Sequence, residues 1–169
     1  AEKIRGKMAD FFITDRDIPF EQYIIEELRI RKLTLSVAES CTGGGLANRI
    51  TNIPGSSDVF TGGIVAYSNE LKMNLLDVSQ SILEKNGAVS KQTARQMARG
   101  IREKCHSDIG VGITGIAGPT GATRGKQVGL VYLHLSADQT ETGIRKVFSG
   151  DRQVIKTRSE NFALNLIRE

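Results

Sequence analysis

A chain of 169 residues with 39% hydrophobic side chains can bury one compact core and is short for two. Its net charge of +4 comes from basic residues spread among acidic neighbours, as between Arg99 and Lys104, which reads as solvated helix faces. With few aromatics and no Trp, that spread excludes an aromatic-interleaved basic patch for nucleic acid and leaves an anionic small molecule as the favoured kind of ligand.

Residues 1–17 are polar and weakly patterned and read as an N-terminal extension, with the domain proper at 18–169. Ile18 to Arg31 has helical spacing through Phe20, Ile24 and Leu28. A strand over 33–39 enters a glycine turn and a helix over 43–51. After the loop Asn52 to Ser57 come an apolar strand over 59–67 and two short helices, 69–76 and 79–86. Ser90 to Lys104 predicts a longer helix, capped by Ser90 and presenting Ala94, Met97, Ala98 and Ile101 on one face. A strand over 108–114 leads into a glycine-rich loop, and 128–136 with 141–148 predict an antiparallel pair. A helix over about 151–167 closes the chain. Strands separated by helices, with a late hairpin, predict a layered α/β domain with a mixed sheet.

Two cysteines, Cys41 and Cys105, and two histidines, His106 and His134, show neither a disulfide framework nor metal-ligand spacing, so no metal site is expected. Cys41 reads as a small packing residue. No signal peptide and no membrane-spanning apolar run are present, which predicts a reduced, cytoplasmic setting with no membrane partner.

Three stretches carry chemistry. Ala38-Glu39-Ser40-Cys41-Thr42-Gly43-Gly44-Gly45 places a hydroxyl at a strand-to-helix junction, where unpaired N–H groups can bind a phosphate or an oxyanion. Ser40 is thus a nucleophile or part of a phosphate cradle; alternatively Ser40 or Thr42 only caps the helix. The loop Gly115-Ile116-Ala117-Gly118-Pro119-Thr120-Gly121 resembles a P-loop superficially but fails at Thr120 and Gln127. Its N–H groups suffice for one phosphate without a metal, and a plain turn is the competing reading. In Gly62 to Lys72 a strand runs into a short helix, with Tyr67 at the strand end and Lys72 one turn on. A desolvated lysine can act as general base to a serine, with a tyrosine in support; taken alone, Lys72 reads as a surface lysine.

Five ordered motifs, Ala38 to Gly44, Pro54 to Ser57, Val65 to Lys72, Gly87 to Ser90 and Thr114 to Pro119, closely resemble the CinA C-terminal domain family, the nicotinamide-nucleotide amidases. The resemblance covers roughly residues 20–168. It implies a homo-oligomeric, dimeric, three-layer α/β/α sandwich with a mixed, mostly parallel sheet. It also implies cofactor-free hydrolysis of nicotinamide mononucleotide to nicotinic acid mononucleotide and ammonia, in pyridine-nucleotide salvage. By position, Ser40 matches the family's nucleophile, Lys72 its activator, Tyr67 a supporting tyrosine and Arg152 an arginine near the substrate. Thr42, Gly43 and Gly44 are the expected oxyanion donors. Thr114, Gly115, Ile116, Ala117 and Gly118, with Arg152 or a neighbouring lysine, are expected to hold the ribose phosphate, although the two loops can exchange duties.

The sequence departs from that family at Gly45, where relatives often carry a bulkier apolar residue; a looser first helical turn with intact chemistry is expected. Gln127 stands where proline is common and reads as a neutral loop change. Ile4 to Asp17 resembles the tail of an upstream domain such as two-part relatives carry. The competing functional class is a catalytically silent nucleotide-sensing module on the same fold.

Overall fold

A computed structural model describes residues 16–169, so most of the expected N-terminal extension, and the stretch likened to an upstream tail, lie outside the described residues. The elements in chain order are α1 (Phe20–Arg31), β1 (Leu35–Glu39), α2 (Gly45–Thr51), β2 (Phe60–Val65), α3 (Asn69–Leu76), α4 (Gln80–Asn86), α5 (Lys91–Cys105), β3 (Ile109–Gly115), β4 (Leu130–Ser136), β5 (Glu141–Val147) and α6 (Arg152–Arg168). Four helix starts carry a local signal in the sequence. Ser68, Ser79, Ser90 and Asp151 each accept a hydrogen bond from the backbone N–H three residues on.

The sheet order is β2-β1-β3-β4-β5. β1 pairs parallel with β2 and β3, β4 pairs antiparallel with β3, and β5 pairs antiparallel with β4. Four strands therefore point the same way, while the pairings divide evenly between parallel and antiparallel. Every residue of β1 is buried, as expected of a central strand covered on both faces.

Alternation along the strands feeds two cores. Leu35, Val37, Val111 and Ile113 pack with Ile24 and Leu28 of α1, Leu46 and Ile50 of α2, and Ile155 and Leu164 of α6. On the opposite face, Ala38 packs with Leu76 of α3, Leu83 of α4, and Met97 and Ile101 of α5. The result is the three-layer α/β/α arrangement. The face of α5 predicted from periodicity, Ala94, Met97, Ala98 and Ile101, is the buried one. Its close approach depends on Gly110 and Gly112 of β3, where a Cβ would collide with the carbonyl oxygens of Ala98 and Ala94.

Arg99 is exposed, as expected of a solvated helix face, and it also pairs across the fold. Arg95 and Arg99 donate to the Glu141 carboxylate on the edge strand β5, which also receives His134 and Ser136. Burial alone would raise the Glu141 carboxyl, but these hydrogen bonds outweigh it and draw its pKa down to about 2. The late hairpin is thereby tied to α5. No helix among the described residues is long and apolar enough to cross a membrane.

Because β1, β2 and β3 are parallel, their C-terminal ends lie along one edge of the sheet. The segments that follow them, starting at Ser40, Ala66 and Ile116, are the three stretches singled out in the sequence.

Candidate active site

Ser40 directly follows β1. Its N–H donates to the Ile113 carbonyl at 3.0 Å, and its own carbonyl accepts the Gly43 N–H at 3.2 Å, closing a tight turn. Gly43 and Gly44 have φ of 66° and 91°, in the left-handed region that favours glycine. Neither Ser40 nor Thr42 caps α2. The N-cap position is Gly44, and the orphan N–H groups of the helix are taken by Glu39. Its carboxylate accepts from Gly44 at 3.1 Å, Leu46 at 3.2 Å and Ala47 at 2.8 Å.

Lys72 is not a surface lysine. It lies on α3, whose start Ser68 fixes by accepting the Leu71 N–H at 3.1 Å, and only 1% of it is exposed. Its Nζ lies 2.7 Å from the Ala66 carbonyl oxygen, 3.4 Å from that of Tyr67 and 3.2 Å from Ser40 Oγ. Burial lowers its pKa from the ordinary 10.5 to about 8. In the neutral amine, two N–H bonds can serve the two carbonyls, leaving the lone pair to accept the Ser40 hydroxyl proton. That is the arrangement of an activated serine.

Ser40, Lys72, Tyr67 and Arg152 meet in a cleft of about 330 Å³. Its opposite wall is the loop Thr114 to Gly118, continued by Thr120 and Gly121, with Ala88 and Val89 beside it. Tyr67 is largely exposed at the rim. Arg152, at the start of α6, donates to the Tyr67 hydroxyl at 3.3 Å and to the Gly118 carbonyl at 2.9 Å, bridging the two walls. Thr114 donates its hydroxyl to the Ala88 carbonyl at 2.8 Å, tying the start of the loop to the segment ahead of α5. The Ile116 N–H is committed to the Leu130 carbonyl.

The three residues expected as oxyanion donors part company. Thr42, Gly43 and Gly44 do not line the cleft. The Gly43 N–H points back to Ser40 and the Gly44 N–H to Glu39. Only Thr42 keeps an N–H without an oxygen partner among the described residues; the Cys41 N–H, not singled out in the sequence, is likewise without one. Cys41 lines the cleft, but burial pushes its thiol up to about 12, so it stays protonated and inert. Among the described residues no three His, Cys, Asp or Glu side chains cluster as a metal set. A second cavity of about 310 Å³, lined by Ile24, Leu28, Leu33, Ile109 and Leu135, lies at the other end of the sheet and holds no serine–lysine pair.

Sequence reasoning missed Glu39. The signal was available: an acidic residue immediately before Ser40 and six before a glycine-started helix is within reach of that helix's free N–H groups. It also missed why Gly45 is a glycine. A Cβ there would collide with Glu160 Oε1, so the first turn of α2 is filled by a buried carboxylate rather than loosened. Arg49 stands 3.6 Å from that carboxylate.

The model of the CinA C-terminal domain matches residues 17–169. A CinA-like protein of Thermotoga neapolitana is 46% identical over 168 residues, covering 99% of this chain and 41% of that protein. A putative competence-damage inducible protein of Moorella thermoacetica is 49% identical over 164 residues, covering 97% and 40%. The chain thus spans about two fifths of the length of these relatives. Among solved structures, a competence/damage inducible protein from Agrobacterium tumefaciens superposes with a TM-score of 0.86 at 36% identity, covering 89% of this chain and 94% of that one. A CinA superfamily protein from Escherichia coli gives a TM-score of 0.84 at 28% identity, with coverages of 96% and 98%. By fold and by sequence over nearly its whole length, the chain belongs to the CinA C-terminal domain family.

Proposed function

We propose that this domain is a metal-independent serine–lysine amidohydrolase that converts nicotinamide mononucleotide to nicotinic acid mononucleotide and ammonia. The observation that carries the reading is the buried Lys72 amine, 3.2 Å from Ser40 Oγ and held by two backbone carbonyls. Burying a lysine with no carboxylate partner is costly, and a desolvated amine beside a serine is the arrangement that nucleophilic catalysis uses.

In this mechanism the neutral Lys72 takes the Ser40 proton as Oγ attacks the carboxamide carbon. The tetrahedral oxyanion forms beside the Cys41 N–H, which directly follows the nucleophile on the cleft wall and has no oxygen acceptor among the described residues. The Lys72 ammonium then protonates the departing nitrogen, the C–N bond breaks and ammonia leaves an acyl-enzyme on Ser40. Water, deprotonated by Lys72, attacks the ester carbonyl; nicotinate mononucleotide departs and Oγ recovers its proton. Arg152 and the Gly115–Gly121 loop form the cationic, N–H-bearing side of the cleft and receive the phosphate. The family resemblance extends the proposal to a homodimer working in the cytoplasm.

The intact Ser40–Lys72 pair favours catalysis over a silent sensing module. Ammonia release from nicotinamide mononucleotide, measured for wild type and Ser40→Ala with EDTA present, tests the reading. Release by wild type alone is expected. Equal release by both would remove Ser40 as nucleophile, and no release from either would return the sensing module as the better account.

A further inference from the structure

We propose that Glu39 is a positioning residue that sets the distance between Ser40 Oγ and Lys72 Nζ; the proposal rests on the serine–lysine reading above. Glu39 is 1% exposed, and no cation forms a salt bridge with it among the described residues. A buried carboxylate without a counter-ion persists only where hydrogen bonds replace its lost water. Here the replacement is the N-terminus of α2, three backbone N–H groups from Gly44, Leu46 and Ala47. The side chain reaches over the four residues after it and ties the far end of the Ser40 turn back to the strand that launches it.

The main chain of Glu39 acts in the other direction. Its carbonyl accepts the Ala66 N–H at 2.9 Å, and the Ala66 carbonyl accepts Lys72 Nζ at 2.7 Å. One residue therefore joins the nucleophile's turn, through its carboxylate, to the cradle of the base, through its carbonyl. The circuit closes at the 3.2 Å contact between Oγ and Nζ. Loss of the carboxylate frees Gly44 and the start of α2, and with them the turn that aims Oγ. The base, held by Ala66 and Tyr67, stays in place. A misplacement of about 1 Å between reacting groups costs on the order of a hundredfold in rate. In Glu39→Gln one amide oxygen can still accept while the amide NH2 faces N–H donors, so a partial loss of about tenfold is expected; in Glu39→Ala the full loss is expected.

The test measures two things on wild type, Glu39→Gln and Glu39→Ala. One is kcat and KM for ammonia release from nicotinamide mononucleotide. The other is the rate and final stoichiometry of Ser40 labelling by a fluorophosphonate, followed by intact mass, which does not depend on the amide substrate. The expected result is a fall of about tenfold or more in kcat and labelling rate for Glu39→Gln. KM should stay within about twofold, with labelling still reaching one adduct per chain. A merely structural role predicts the opposite pattern, a reduced number of labelled chains reacting at the wild-type rate, and that result overturns the proposal. Glu39→Gln indistinguishable from wild type also overturns it. If Glu39→Ala does not fold, the Gln variant alone decides. Wild type that labels at Ser40 but releases no ammonia refutes the nucleotide substrate and leaves Glu39 judged by labelling. Wild type inert in both assays overturns the serine–lysine reading, and this proposal with it.

Discussion

Replacing Lys72 by Met separates the base's chemistry from its cost to the fold. Burial brings the ammonium from the ordinary 10.5 to about 8, so keeping it charged in the folded protein at neutral pH costs about 3 kcal/mol. Met fills similar volume without charge and removes that cost. It also leaves the Ala66 carbonyl, bonded to Nζ at 2.7 Å, without its donor, a loss of about 1–2 kcal/mol. The balance is a stabilisation of about 1–2 kcal/mol, or roughly 3–6 °C in Tm for a domain of this size. The sign depends on pH. Below about 8 the ammonium is present in folded and unfolded chains and the full cost applies. Between about 8 and 10.5 the unfolded chain still holds the proton while the folded one has released it, so wild-type stability rises with pH. The Met variant should therefore melt above wild type at neutral pH and lose that lead as the pH approaches about 10, while its turnover falls at least about a hundredfold at every pH. Thermal melts by circular dichroism at the two pH values, with ammonia release alongside, provide the check. A Tm difference of the same size at both pH values, or a Met variant less stable at neutral pH, would refute the account of Lys72 as a desolvated base.

Two further outcomes are expected. In the proposed mechanism the reacting form of Lys72 is the neutral amine, so kcat/KM for the amide should rise about tenfold per pH unit on the acid side and level off near pH 8; a profile flat through that region would place the base elsewhere. Gly45→Ala should destabilise the domain by about 1–2 kcal/mol despite the better helix former, because its Cβ collides with the Glu160 carboxylate. In a Glu160→Ala background the same change should become neutral or stabilising, and urea melts of the four proteins measure the difference as a double-mutant cycle.

Most of the scaffold was legible because its signals are local. Ser68, Ser79, Ser90 and Asp151 mark helix starts within one turn of the bond they make. The apolar face of α5 repeats at helical spacing, and the alternation of β3 between Ile109, Val111, Ile113 and the glycines between them assigns its two faces. What stayed hidden depends on chain closure. Arg152 and Tyr67 are 85 residues apart, Arg95 and Glu141 46 apart, and neither pairing leaves a trace in spacing. Lys72 read as a surface lysine by pattern because Asn69, Glu70 and Asn74 on the same short helix are polar; its burial follows from the way Ser68 turns α3 back over Ala66.

The glycine turn shows why a correct motif can still be assigned the wrong ligand. Left-handed Gly43 and Gly44 ahead of a helix do build an anion site, as the sequence suggested, but the anion is the chain's own Glu39. With that cradle filled and its charge buried, a second anion beside it would meet repulsion in a poorly screened setting. In the proposed reaction the substrate phosphate is therefore assigned to the other side of the cleft, to Arg152 and the Gly115–Gly121 loop, with the carboxamide at Ser40. The alternative left open by the motifs, in which the two loops exchange duties, is thus disfavoured by one carboxylate. It follows that removing Arg152 should weaken nucleotide binding, whereas altering Glu39 should slow the chemical step.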